Sequence, residues 1–242
     1  MIVIPMAGLS SRFFKAGFNK PKYMLDAHGI SLFDHAVKSF EKYFNNEKFL
    51  FIVRDVYQTP EFVKKRVDAL GIKNAEIIII DKETRGQAET VFLGLKESKC
   101  NENESLTIFN IDTFRPGYSY PNFDTVVDGY LEVFLGDGDN WSYAKTLNEN
   151  SKKVIETAEK NRISNYCCTG LYYFNTAKDY LNIYKEYILL PKEQWDKGEL
   201  YIAPLYNIMI KKDKNIFINL IDISDVIFCG VPDEYELFKN GK

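Results

Sequence analysis

The stretch Ile2-Val-Ile-Pro-Met-Ala-Gly-Leu-Ser-Ser-Arg12 decides how the rest of the chain is read. Ile2 to Met6 is an unbroken apolar run of strand length, and it gives way at once to small residues from Ala7 to Ser11. A short continuous apolar run is the pattern of a strand covered on both faces. Working outward, Leu32, Phe33, Ala36, Val37 and Phe40 recur at helical spacing and predict an amphipathic helix over about Ser31 to Phe44. Phe49 to Val53 reads as a second buried strand. Thr59 to Leu70 reads as a helix, with Pro60 in its first turn and Gly71 as its stop. Glu76 to Ile80 is another strand, Gln87 to Lys96 a helix, and Leu106 to Ile111 a strand that ends at Asp112.

Strand and helix in alternation predict an α/β fold, a Rossmann-like and mostly parallel sheet sandwiched by helices. Ligands of such sheets bind outside the carboxyl ends of the strands. The turn after the first strand and Asp112 are therefore expected to share one crevice. The second half is less regular. Strands are expected at Leu131–Leu135, Ser142–Thr146, Val154–Ala158, Gly170–Phe174, Phe217–Ile221 and Val226–Phe228, and helices at Ala177–Tyr187, Leu200–Lys211 and Asp233–Lys239. No repeat, low-complexity tract or linker separates these elements. One domain over 1–242, carrying a smaller inserted β region, is the expectation.

The chain has 242 residues, 45% of them hydrophobic and 27% charged, enough to bury a sizeable core. A formal net charge of −3 argues against a duplex nucleic-acid binder, whose affinity rests on many cation–phosphate contacts. A nucleotide site needs only a few local cations. Aromatic residues make up 15%, enough for core packing, for a stacking platform and for a dimer face. The four cysteines, Cys100, Cys167, Cys168 and Cys229, form no CxxC pair, and two histidines make a zinc site improbable. Adjacent Cys167 and Cys168 point to opposite faces of a strand, which suits free thiols in a reducing compartment. No segment reaches the roughly 20 apolar residues that span a bilayer, and the opening residues lack a signal peptide's basic region. A cytoplasmic protein without a membrane partner is expected.

Four stretches carry chemistry. The loop Ala7, Gly8, Leu9, Ser10 and Ser11 can turn backbone N–H groups towards a polyphosphate, and Arg12 and Lys22 can add positive charge. In Thr84-Arg-Gly-Gln-Ala-Glu-Thr90, Gly86 permits close approach of a flat ring, and Gln87 both donates and accepts, as recognition of a base edge requires. Asp112, at the end of an apolar strand, is placed to hold Mg²⁺ against a triphosphate. The fourth is Glu159-Lys160 followed by Gly170-Leu-Tyr-Tyr-Phe174.

These motifs resemble those of the sugar-phosphate nucleotidyltransferases, the nucleotide-sugar pyrophosphorylases, in order and over nearly the whole chain. Gly8-Leu-Ser-Ser-Arg12 and Pro21-Lys-Tyr23 are similar to that family's Gly-x-Gly-Thr-Arg loop and Pro-Lys-Pro, with Ser10 and Tyr23 as departures. The resemblance implies transfer of a nucleoside monophosphate from an NTP to a sugar phosphate or similar small phosphate, for surface polysaccharide biosynthesis. It implies Arg12 and Lys22 as catalytic cations and Asp112 as the Mg²⁺ ligand. Ala7 to Ser11, Gly86 and Gln87 would bind the nucleotide, a pyrimidine in preference. Glu159 and Glu199 would hold acceptor hydroxyls, Lys160 the acceptor phosphate, and Gly170 a close approach of the acceptor to the backbone. Residues up to about 115 would form the nucleotide half, and those from about 116 the acceptor half. One departure is serious. Where the family has a second metal aspartate, this chain has Phe228, which leaves Asp222 or Asp225 as substitutes, a single carboxylate with phosphates and water completing the shell, or weakened or lost activity. A glycosyltransferase using Asn110-Ile-Asp112 as a degenerate Asp-x-Asp, and a nucleotide-binding regulator without activity, stay open as alternatives.

Overall fold

The structure is a computed structural model and describes residues 1–241. Its elements run β1 (Ile2–Met6), α1 (Ser11–Lys15), β2 (Asp26–Ala27), β3 (Ile30–Ser31), α2 (Leu32–Lys38), β4 (Phe49–Val53), α3 (Thr59–Leu70), β5 (Ala75–Ile79), α4 (Gln87–Glu97) and β6 (Leu106–Phe109). There follow β7 (Thr113–Phe114), β8 (Gly129–Leu135), β9 (Ser142–Thr146), β10 (Val154–Glu159), β11 (Tyr166–Phe174), α5 (Ala177–Tyr187), α6 (Leu205–Lys211), β12 (Ile216–Leu220), β13 (Ile227–Phe228) and α7 (Pro232–Lys239).

Among the described residues one nine-stranded sheet takes the order β10-β9-β11-β6-β1-β4-β5, with β8 beside β11 and β12 beside β8. The strands β6, β1, β4 and β5 are parallel, and β11 enters antiparallel against β6. Side chains of β1 and β4 alternate between two cores. Val3, Leu50 and Ile52 pack with α4, α5 and α6, while Ile4, Phe49 and Phe51 pack with α2, α3 and α7. Burial on both faces explains why these strands are apolar at every position.

The long strand β11 joins the two halves by forking. Its far end pairs with β6 through Leu171–Phe174, and Cys167 near its start pairs with Tyr143 of β9. The register against β8 shifts between Cys168 and Tyr172, and Gly170, at φ 95°, sits in that irregularity. Such a bulge bends a strand and re-aims what it carries. Here it opens the sheet beside the end of β6, where the cleft lies.

Candidate active site

The turn after β1 is shaped by Ser10, which takes a left-handed backbone conformation at φ 52°. A residue other than glycine spends roughly 1–2 kcal/mol there. Two contacts offset the strain: Ser10 Oγ accepts from the Lys22 amide at 3.2 Å, and Ser10 O accepts from the Phe13 amide at 2.9 Å. The amides of Gly8, Leu9, Ser10 and Ser11 donate to no acceptor among the described residues. They form a run of free donors at the carboxyl edge of the parallel sheet.

Lys22 is set by its neighbours. Tyr23 is 3% exposed and its hydroxyl bonds Thr59 Oγ1 at 2.8 Å, which anchors the short turn Lys22–Met24 against α3. From this anchor Lys22 Nζ reaches Asp112 Oδ2 at 2.5 Å, with both side chains about a fifth exposed. Asp112 stands just beyond β6, so the loop, the lysine and the carboxylate share one crevice.

That crevice has two lobes. One, of about 760 Å³, is bordered by Ala7, Gly8, Leu9, Ser10, Ser11, Lys22, Gly86, Gln87, Asp112 and the indole of Trp195. The other, of about 750 Å³, is bordered by Arg12, Trp141, Glu159, Gly170 and Tyr201. Gly8 to Ser11 of the loop, Lys22, Gln87, Asn110, Asp112 and Glu199 belong to both. Arg12 opens only on the second lobe. Lys160 borders neither: from a left-handed backbone (φ 54°) its Nζ donates to the Tyr201 hydroxyl at 2.5 Å and lies 4.5 Å from the ring centre.

At both glycines the space that a side chain would fill is taken by protein. A Cβ at Gly86 (φ 149°) would stand 2.5 Å from Leu200 O. That backbone is stitched to the loop by Leu200 N–Arg85 O and Ala88 N–Leu200 O, each 2.9 Å. A Cβ at Gly170 would stand 2.4 Å from Asn110 Nδ2. The space serves Asn110, whose Oδ1 accepts from Gln87 Nε2 at 2.5 Å. Asn110 thus ties the residue expected to meet the base to the fork of β11. Its position two before Asp112 was the available signal. Trp195 had none, because a position eight residues beyond the end of α5 does not reveal which lobe it walls.

Glu159 is 6% exposed, and burial, opposed by its Ser142 hydrogen bond and by Lys160, holds its carboxyl above the usual range. Phe228 packs at 4.7 Å on Trp141 and 5.4 Å on Phe134. Asp222 accepts from Ser224 as a local cap, and neither it nor Asp225 borders the cleft. Glu234 does border it, facing Gly230 opposite Asp112: a Cβ there would lie 3.1 Å from Asp112 Oδ2 and 3.6 Å from Glu234 Oε2. Among the described residues no three His, Cys, Asp or Glu side chains are arranged as a metal site. Asp112 Oδ1 accepts no hydrogen bond within them, which leaves one hard oxygen donor facing the cleft, the minimum Mg²⁺ takes from protein when phosphates and water supply the rest.

The nucleoside-diphosphate-sugar pyrophosphorylase of Vibrio cholerae RC9 superposes with a TM-score of 0.96 and is 57% identical over 99% of this chain and 100% of its own. This chain belongs to that family. The family resemblance, the α/β fold and the assignment as an enzyme of the nucleotidyltransferase type all stand on this likeness. Two more distant structures share the fold. They are the inositol-1-phosphate CTP transferase of T. maritima (TM-score 0.72, 18% identity, 98% of this chain and 93% of that one) and a UDP-glucose pyrophosphorylase complexed with UDP-glucose (TM-score 0.74, 16% identity, 99% and 97%). No family model matches the chain, and no curated protein does. For this member of the family, the Gln87–Asn110 contact lies on the border that the two lobes share.

Proposed function

We infer that the chain transfers a nucleoside monophosphate from an NTP to a sugar phosphate and releases pyrophosphate. The observation that carries this reading is the run of free amides from Gly8 to Ser11 beside Lys22 and Asp112, at the junction of two lobes each large enough for one substrate. The reaction brings an anionic phosphate oxygen to an anionic α-phosphorus, so charge neutralisation and alignment dominate its barrier. No side-chain nucleophile is needed.

The 760 Å³ lobe is the nucleotide side in this reading. Loop amides cradle the triphosphate, and Gln87, held by Asn110, meets a pyrimidine edge in preference. Lys22 bears on the α-phosphate. Arg12, exposed and without an ion pair among the described residues, adds charge at the mouth of the loop. Asp112 would hold Mg²⁺, whose charge, when bound, offsets that of the nucleotide phosphates. The acceptor occupies the 750 Å³ lobe with Glu159 and Glu199 on its polar groups. Lys160 serves this site through Tyr201, as a brace for the aromatic wall. We further propose a cytoplasmic enzyme whose activated product feeds surface polysaccharide. Four free cysteines support the compartment, and no helix among the described residues is long and apolar enough to cross a membrane.

The test is pyrophosphate release from each NTP with Mg²⁺ and a panel of sugar phosphates. Release that requires both substrates is expected, with CTP, UTP or dTTP the best donor. Tight nucleotide binding with no release for any acceptor would turn the reading towards a regulator.

A further inference from the structure

Gln87 and Asn110 are the two side-chain amides that border both lobes, and they are bonded to each other. Gln87 opens α4 and Asn110 follows β6, yet Gln87 Nε2 donates to Asn110 Oδ1 at 2.5 Å. Asn110 is walled in. Its backbone amide donates to Gly170 O at 3.1 Å, and its carbonyl accepts from the Thr113 amide at 3.3 Å. A Cβ at Gly170 would stand 2.4 Å from Asn110 Nδ2, 2.7 Å from its Cγ and 3.1 Å from its Cβ, so the side chain lies along that glycine over its whole length. Because Nδ2 is the atom set against Gly170, Oδ1 is the one turned to Gln87.

Gln87 is the opposite case. Its side chain is long and flexible, and Asn110 is its one hydrogen-bond partner among the described residues. Ordering such a chain costs conformational entropy, and a site that is ordered beforehand binds its ligand more tightly. The contact itself adds little to stability, because both residues are half-buried at the cleft wall and their bond replaces bonds to water. Its consequence is geometric. With one N–H spent on Asn110, Gln87 keeps Oε1 and a second N–H, an acceptor and a donor on one planar group whose place is set.

We propose that Asn110 is a positioning residue that governs which base is accepted: its Oδ1 fixes the Gln87 amide before the NTP arrives, and Gly170 lacks a side chain so that Asn110 can stand there. This rests on the nucleotidyl-transfer reading with Gln87 at the base. It extends the determinants of base choice from α4 across the sheet to β11, to residues that act through Gln87.

The readout is base selectivity: kcat/KM of the best NTP over that of the worst, from pyrophosphate release by the full chain with Mg²⁺ and the best sugar phosphate. General damage to the fold, or added charge near the triphosphate, affects every NTP alike and cancels in that ratio. Asn110→Ala, its folding checked by thermal melting, removes the accepting oxygen. The ratio is expected to fall by roughly fivefold or more, the scale of one net hydrogen bond, chiefly through KM of the best NTP. Asn110→Asp keeps an oxygen for Gln87 Nε2 and should hold the ratio within about twofold. Gln87→Ala should lower the ratio as well, and adding Asn110→Ala to it should lower the ratio no further. Should Asn110→Ala not fold, Asn110→Ser, one bond too short to reach Gln87, takes its place. A ratio unmoved by loss of the Asn110 amide, or lost equally in Asn110→Asp, overturns the proposal, and so does a further fall in the double variant. A parent chain that uses every NTP alike, or a ratio unmoved in Gln87→Ala, takes Gln87 from the base and the proposal with it, and leaves nucleotidyl transfer standing. Absence of pyrophosphate release with every NTP and acceptor refutes the transfer reading and this inference together.

Discussion

Lys22→Ala separates a role in chemistry from a role in holding the fold. In the free chain Lys22 Nζ lies 2.5 Å from Asp112 Oδ2, and both side chains are about a fifth exposed. Removing the amine leaves a carboxylate that water can still reach, so the stability lost is about 1 kcal/mol or less. For a chain of this size that lowers Tm by no more than roughly 2–4 °C. The effect on the barrier is larger. Removing a preorganised electrostatic group costs about 2.7–4 kcal/mol, and at about 1.36 kcal/mol per tenfold this is a loss of roughly a hundredfold to a thousandfold in turnover. Lys22→Arg keeps the charge but replaces a point ammonium with a planar fork, so partial recovery is expected. The assay is initial-rate pyrophosphate release at saturating substrates, with a thermal melt on the same preparation. Near-normal turnover in Lys22→Ala would refute the assigned role. A collapse of Tm by 10 °C or more, beyond the roughly 2–4 °C allowed above, would show that the pair is structural.

Two further outcomes follow from the packing. Gly86→Ala should strain a backbone at φ 149° and push a Cβ into Leu200, threatening two backbone hydrogen bonds; at about 1–2 kcal/mol for the strain and about 1 for each bond, Tm should drop by roughly 6–16 °C and KM for the NTP rise, and an unchanged melt would mean that the 199–200 segment moves freely. Arg115→Leu should leave Glu132, which is fully buried, without its ion pair, a loss of about 3–5 kcal/mol by equilibrium unfolding at neutral pH. Burial already raises the Glu132 carboxyl while Arg115 opposes the rise. In the variant the folded-state pKa goes higher, so stability is present at acid pH and lost as pH climbs through that value. The deficit relative to the parent chain should therefore shrink on acidification, and a deficit constant from pH 7 to 5 would contradict the account.

Local chemistry made much of the fold legible. Thr59–Leu70 has proline in its first turn and glycine after its last, and the expected bounds are those of α3. Phe49–Val53, Ser142–Thr146 and Ala177–Tyr187 also keep their bounds, each a run whose pattern changes sharply at both ends. Leu200–Lys211 was too long. The helix begins at Leu205, because Leu200 spends its backbone groups on Arg85 and Ala88, partners more than a hundred residues away. The expected helix at Ser31–Phe44 likewise breaks up after Lys38, with only a 3₁₀ turn at Glu41–Tyr43. In the site, the loop, Lys22 and Asp112 were legible because each sits at a break in the element pattern, the loop after β1, Lys22 at the start of a short turn and Asp112 between β6 and β7. The purposes of Gly86 and Gly170 were not. A missing side chain shows that something comes close, but whether it is a ligand, Leu200 or Asn110 depends on contacts made across the sheet.

The partition between the lobes has a kinetic meaning of its own. Gln87, Asn110, Asp112 and Glu199 face both compartments, so neither can be filled without touching residues that the other uses. A compound that occupies one compartment but stops short of the Gly8–Lys22 junction blocks turnover while presenting no reacting atom. An inhibitor of this protein therefore needs no likeness to the reacting end of either substrate, only contact with these shared residues.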